Sequence, residues 1–265
     1  MIWPVYVLVV SLALSLQASL VKVEPLKPTP FTSNLFLDFH TNHSVLSRNT
    51  PLMFQLKSFP LGVKTYSEEL IGMRQNPYGT SVLILFNGQE RIYLQKLDCN
   101  PLIKHAQSYE KHFQKFLTTK IARGLKEGKN AITAVPLNSF GESTKFAEQI
   151  QTRVVDYGKR APRDAVLETK LSQPHVLYNE PKGKFLKGES LLLDFVVLNT
   201  VLSKKGNRVV LKIDGEQVAI IEQNVPHKIS HLPRGNHLIK IVLIDKNGHP
   251  LEEPFGNQES QIVIE

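Results

Sequence analysis

The apolar and polar positions of the chain fall into two regimes. From Met1 to Val21 the side chains are uncharged and mostly apolar, and the first charged one is Lys22. Such a stretch at an N-terminus reads as the hydrophobic region of an export signal, with cleavage expected near Ala18. The other reading is an uncleaved membrane anchor, since residues 2–21 are about long enough to cross a thinner bilayer. The next segment, 22–31, contains Pro25, Pro28 and Pro30 and is predicted to be an extended, solvated spacer. From residue 32 onward short strands dominate. They are predicted at 34–40, 52–58, 191–198, 209–213, 218–222, 237–244 and 261–264, several with period-two alternation and with turn signals every eight to twelve positions. That pattern predicts antiparallel sandwiches rather than a parallel sheet with crossover helices.

The strand-rich part reads as two similar halves. Gly79 opens GTSVLILFNGQERIYL, with a turn at Asn87-Gly88, and Gly206 opens GNRVVLKIDGEQVAII, with a turn at Asp214-Gly215. Both turn glycines stand nine residues after the opening glycine, and Asn-Gly and Asp-Gly are the dipeptides that best tolerate a type I′ hairpin. Further on, Gly128 and Gly141 in the first half match Gly235 and Gly248 in the second, thirteen apart in each, with an apolar strand between them. An ancient duplication accounts for both spacings. The first half carries about twenty extra residues between these landmarks. There Leu102, Ile103, Ala106, Tyr109, Phe113, Phe116 and Leu117 recur at three- and four-residue intervals, which predicts an amphipathic helix over 101–119, with Asn100 as cap and Pro101 in the first turn.

Composition narrows the function classes. A hydrophobic share of 42% in 265 residues suffices for a buried core, as one large domain or two small ones. The expected organisation is a first sandwich over 32–157, a charged and strand-poor linker over 158–172, and a second sandwich over 173–265. The single cysteine, Cys99, excludes a disulfide framework, a four-thiolate zinc site and a cysteine-held iron–sulfur cluster. The net charge of +8 is uneven, with 17 basic and 11 acidic side chains over 1–158. Lys111, Lys115, Lys120, Arg123 and Lys126 form the run most suited to an anionic membrane surface. An export signal argues against nucleic acid as a partner.

Residues 206–251, with VVLKIDGEQVAII followed by LPRGNHLIKIVLIDKNGHPL, resemble bacterial exported domains of immunoglobulin-like type. The shared features are an Asp-Gly hairpin, a Leu-x-x-Gly-x-His-x-Leu strand and an Asp-x-x-Gly-x-Pro-Leu turn. The resemblance implies the fold class, all-β with tandem immunoglobulin-like sandwiches, the first copy bearing the helical insert, and it implies no particular chemistry. The first half departs from it: Asn130 stands in the place of His237, and Asn138-Ser139 in the place of Asp245-Lys246.

Three groups of residues are candidates for chemistry. Asp38, His40 and His43 could bind a metal, because in a strand the first two share a face and His43 could turn back toward them. His227, His231, His237 and His249 lie within 23 residues, but they read as a strand-opening histidine and exposed loop residues. Cys99 has no methionine after it to complete a blue-copper set. No nucleophile elbow, phosphate loop or dinucleotide fingerprint occurs. The expected function is therefore an exported, non-enzymatic binding or structural protein of the periplasm, cell envelope or extracellular space. It is expected to need no cofactor and to act on a protein partner. The alternative is a metal-binding exported protein using Asp38, His40 and His43.

Overall fold

The computed structural model describes residues 21–30, 36–40, 45–57, 59–95, 111–116, 123–160, 162 and 164–265, with backbone alone for 36–40, 51–57 and 111–116. In chain order the strands are β1 (Lys22–Pro25), β2 (Phe36–His40), β3 (Val45–Leu46), β4 (Pro51–Lys57), β5 (Ser81–Phe86), β6 (Glu90–Leu94), β7 (Lys111–Phe116), β8 (Gly128–Leu137) and β9 (Gln151–Tyr157). A short helix, α1 (Ala165–Ser172), precedes β10 (His175–Glu180), β11 (Gly183–Phe185), β12 (Leu191–Leu198), β13 (Arg208–Ile213), β14 (Glu216–Ile221), β15 (His227–Ser230), β16 (Gly235–Ile244) and β17 (Gln258–Ile264). The fold is all-β, two immunoglobulin-like sandwiches in tandem.

The two five-stranded sheets share one plan. Their orders are β3-β9-β8-β5-β6 and β11-β17-β16-β13-β14, each with a parallel outer pair, β3 with β9 and β11 with β17, and antiparallel pairs elsewhere. The companion sheets are β2-β4-β7 and β10-β12-β15, so every strand from β2 to β9 has a counterpart from β10 to β17.

The hairpin dipeptides turn as their chemistry requires. Asn87 and Gly88 have φ of 49° and 68°, and Asp214 and Gly215 have 55° and 89°, a left-handed region that Asn, Asp and Gly tolerate. The loops differ in length. Ile213 pairs with Glu216 across a two-residue turn, and a bulge follows at Val218, whereas Phe86 pairs with Glu90 across three residues. The extra one, Gln89, donates a side-chain hydrogen bond to the Phe255 carbonyl in the other sandwich, at 2.8 Å.

In each sandwich the first turn residue also clamps the strand that begins beside it. Asp214 accepts from Leu238 N at 2.8 Å and faces His237 Nδ1 at 2.7 Å. Asn87 accepts from Ala131 N at 2.9 Å and donates to Asn130 Oδ1 at 2.8 Å. Where the second sandwich has Asp214 and His237, the first has Asn87 and Asn130, so an amide pair holds the geometry that an acid–imidazole pair holds in the other. His237 Nε2 also faces the Pro233 carbonyl at 2.9 Å, so this histidine is a structural tie.

Strand parity shows where the cores lie. Leu191, Leu193, Phe195 and Val197 of β12 and Ile239, Ile241 and Leu243 of β16 fill the second sandwich. Val82, Ile84 and Phe86 of β5 fill the first, with Phe59 and Leu61. The opposite faces meet between the sandwiches: Leu83 and Leu85 of β5 and Val135 and Leu137 of β8 pack with Leu177 of β10, Val196 of β12 and Phe255. The run SVLILF is therefore buried at all six positions, as an uninterrupted apolar strand must be to keep both faces dry. The matching face of the second copy carries Lys212 and Lys240 in the places of Leu85 and Thr133, and β16 alternates buried with half-exposed residues.

Two expectations are corrected. Within 22–31 the described residues 22–30 are no solvated spacer: β1 adds antiparallel to β15, Val21 and Val23 pack on the second core, and Leu26 is buried with Leu70, Met73 and Leu192. Proline permits this because β1 is an edge strand and Pro25 closes it, where a missing donor is tolerated. Within the predicted helix over 101–119, Lys111–Phe116 is instead a strand paired along six positions with β4, and the remainder lies outside the described residues. Over six residues the spacing of Phe113 and Phe116 cannot separate a helical from an extended period, and the open edge of β4 supplies the backbone partners. The helix α1 lies between the two sandwiches along the chain and is capped by the Asp164 carboxylate on Leu167 N at 2.9 Å.

Gly88 gives a test of the junction. A Cβ there would stand 2.5 Å from the Phe255 ring, whereas one at Gly215 would meet open space. Gly88→Ala is expected to destabilise by about 2–3 kcal/mol and Gly215→Ala by about 1 kcal/mol, the shared part being the positive φ. Thermal melts of the two variants check this, and equal losses would show that Phe255 yields freely.

Candidate binding site at the junction of the sandwiches

The turn after β8 begins with an Asn side chain that folds the backbone locally. Asn138 Oδ1 accepts from Phe140 N at 2.9 Å and Glu142 N at 3.0 Å, and Asp245 Oδ1 does the same for Asn247 N and His249 N at 2.8 and 2.9 Å. In the second copy this turn is exposed. In the first it is driven into the junction, where Asn138, Ser139, Glu142, Ser143 and Thr144 are all buried.

Burial obliges each polar group there to find a partner. Ser139 Oγ meets Thr65 N at 2.9 Å and Gln75 Nε2 at 2.8 Å, fastening the long 59–80 connection. Glu142 accepts from Thr29 N of the N-terminal segment at 2.9 Å and from Asn138 Nδ2 at 2.7 Å. Its burial, with Asp194 adding like charge, pushes its carboxyl up to about 7. Asp194, fully buried on β12, accepts from Ser143 N at 3.0 Å and Asn179 Nδ2 at 2.8 Å and pairs with Lys145 at 2.5 Å. From β6, Arg91 donates to the carbonyls of Tyr178 and Asn179 at 2.6 and 2.8 Å. The first sandwich, the second and the N-terminal segment are thus joined by apolar packing and by buried polar bonds.

Beside this seam opens a cleft of about 300 Å³. Met73, Leu137, Phe140 and Leu192 give it apolar walls, and Arg74 and Lys182 bring positive charge. The Arg74 guanidinium lies 4.5 Å from the Phe185 ring centroid, and its Nη2 donates to the Lys184 carbonyl and faces Glu189 at 3.4 Å. Lys182 Nζ lies 4.8 Å from the Tyr93 centroid and pairs with Glu180. Burial raises the Glu180 carboxyl, while Lys182 and Arg91 pull it down. Among the described residues the buried Tyr93 hydroxyl has no hydrogen-bond partner. Lys182 also borders a second hollow of about 500 Å³ beside Gln89, Arg91 and Ser260. Such a cleft offers apolar contact with fixed cations.

The residues singled out from sequence lie on several elements. Asp38 and His40 lie on β2, opposite Gln55 and Met53 of β4, and His43 lies outside the described residues, as do Cys99 and Lys120. Among the described residues no three His, Cys, Asp or Glu side chains are grouped to hold a metal ion. His227 is buried beside Phe195, with ring centroids 6.5 Å apart, and burial lowers it to about 4. His249 is exposed near Asp245 at 3.5 Å. Lys111 and Lys115 lie on β7, and Arg123 and Lys126 are exposed. None of the cleft's charges was singled out in advance. The available signal was Asp194, a lone charge inside the apolar run LLLDFVVL: a carboxylate there requires a buried partner.

Among the described residues no helix is long and apolar enough to cross a membrane. No protein-family model and no curated protein sequence matches the chain. Solved structures similar to it include fibronectin(III)-like modules of Clostridium thermocellum CbhA, at 13% identity over 87% of this chain and 94% of that one, with a TM-score of 0.27. The central fibronectin-III array of RIM-binding protein matches at 9% identity over 86% and 67%, with a TM-score of 0.26. Bacteroides ovatus SGBP-B, solved with a mixed-linkage heptasaccharide, matches at 11% over 84% and 43%, with a TM-score of 0.22.

Proposed function

We propose that this chain is an exported, non-enzymatic binding protein of the cell envelope, whose two sandwiches act as one rigid body and take a segment of a protein partner at their junction. The observation that carries the reading is the cleft beside the seam, with walls from both sandwiches and two cations held against aromatic rings. Rigidity matters because a site shared by two bodies keeps its shape only if they do not hinge, and the seam combines apolar packing with buried hydrogen bonds. Export is supported by the uncharged, apolar residues 1–21. Because β1 starts at Lys22 and joins the second sandwich, an uncleaved N-terminus would hold the folded body close to the membrane surface.

A photo-cross-linking side chain at Tyr78, which is 50% exposed and follows Pro77 of the cleft wall, tests this in intact cells. The expected result is one dominant protein adduct at Tyr78 and none at a control position, Val201, which is 83% exposed. Indistinguishable adducts at the two positions would overturn the reading.

A further inference from the structure

Resting on that reading, we infer that the junction cleft recognises a carboxylate borne on an apolar segment, of the kind a protein C-terminus presents, with the carboxylate between Arg74 and Lys182 and the apolar side chains against Met73, Leu137, Phe140 and Leu192. Both cations line the same cleft as the apolar wall. Each is laid against an aromatic ring and tied at one end, Arg74 through Nη2 to the Lys184 carbonyl and Lys182 to Glu180. A cation held this way loses little further freedom when it meets an anion, which favours recognition over a loose surface attraction. Among the described residues the hydrogen bonds of Arg74 run through Nη2 alone, so Nη1 and Nε remain for the planar, two-pronged contact that suits a carboxylate. Tyr93 and Phe185 each carry a cation over the ring, so they offer fixed positive charge rather than bare platforms for a sugar. The volume suits one or two side chains and a terminus rather than a folded domain.

Glu180 makes the recognition exchangeable. It faces Lys182 from its own turn, Arg91 from β6 and Asp194 from β12, and burial disfavours its charged form. An arriving carboxylate takes over Lys182 while Glu180 takes up a proton from solvent. Binding therefore strengthens as pH falls.

The test is calorimetric titration of the whole secreted chain with acetyl-Ala-Leu-Phe as the free acid, with the same peptide as the C-terminal amide, and with 3-phenylpropionate. The free acid is expected to bind at least ten-fold more tightly than the amide, and more tightly at pH 6 than at pH 8. Arg74→Gln and Lys182→Met should each weaken the acid at least ten-fold, and Glu180→Gln should flatten the pH dependence while leaving thermal stability near that of the parent. If 3-phenylpropionate matches the peptide acid, the carboxylate chemistry holds and its source is a small acid. A weaker 3-phenylpropionate assigns it to a chain terminus. Equal affinity for acid and amide, or no binding by either, overturns the inference, and a Tyr78 adduct obtained in that case leaves the binding-protein reading standing.

Discussion

Replacing Lys145 with methionine is expected to lower the folding stability by about 3–5 kcal/mol, the usual consequence of removing one partner of a buried ion pair. Asp194 has no exposed surface, and Lys145 Nζ supplies its only positive neighbour within hydrogen-bond distance among the described residues, at 2.5 Å. The ammonium also donates to the Phe195 carbonyl at 2.9 Å and Ser143 Oγ at 3.2 Å. Without it the carboxylate keeps only Ser143 N and Asn179 Nδ2, too little to replace the lost hydration of a buried anion. The double variant Lys145→Met with Asp194→Leu should recover most of the loss, because two apolar groups leave no charge stranded. Urea unfolding of the parent, the single and the double variant measures both effects. A loss below about 1 kcal/mol in the single variant would mean that water reaches Asp194 and that the seam is not closed.

The second large effect is a dependence on pH. The Glu142 carboxyl is raised from 4.5 to about 7 in the folded chain, so its contribution to stability is complete below about 4.5 and is lost as pH rises through about 7. At about 1.4 kcal/mol per unit the loss is about 3 kcal/mol. Glu253, also raised to about 7 by burial, with one buried oxygen lacking a partner among the described residues, acts in the same direction. His227 acts oppositely. Lowered from 6.5 to about 4 by burial, it adds stability above about 6.5 that is lost as pH falls through about 4. Between about pH 4.5 and 6.5 the two carboxyls outweigh the single histidine, so stability should peak near pH 4.5 and decline on both sides. Glu142→Gln should flatten the alkaline decline, so that variant and parent diverge by about 2–3 kcal/mol between pH 5 and pH 8, whatever constant offset the changed hydrogen bond to Asn138 introduces. Chemical denaturation at a series of pH values checks this, and parallel profiles for parent and variant would show that Glu142 is ionised without penalty.

The elements legible from residue order are those set by neighbours close along the chain. Asn87-Gly88 and Asp214-Gly215 turn because their own side chains tolerate positive φ. The alternation in NHLIKIVLI announces a strand with one dry and one wet face, and Lys212 and Lys240 identify the wet one. The parity of β16 was enough to indicate a sandwich, since this strand must bury its odd-numbered row against another sheet. Even the doubled burial of SVLILF could be read from its lack of alternation.

Long-range pairing decided the rest. Whether Lys111–Phe116 would coil or extend depended on an open strand edge some sixty residues earlier in the chain, β4, whose unpaired backbone groups were worth more than a helical stripe of two phenylalanines. The proline-bearing N-terminus became an edge strand because β15, two hundred residues on, offered it a ladder. Glu142 and Lys145 look like ordinary surface charges in residue order, and Asp194 alone, set inside LLLDFVVL, signals its burial. Their burial follows from the contact of two sheet faces, and Thr29 and Glu142 meet across 113 residues. Local patterns carry backbone preference and face, which are properties of a few residues at a time. The partner of each face and the company of each charge depend on which distant surfaces exclude water together, and no short stretch of this chain contains that information.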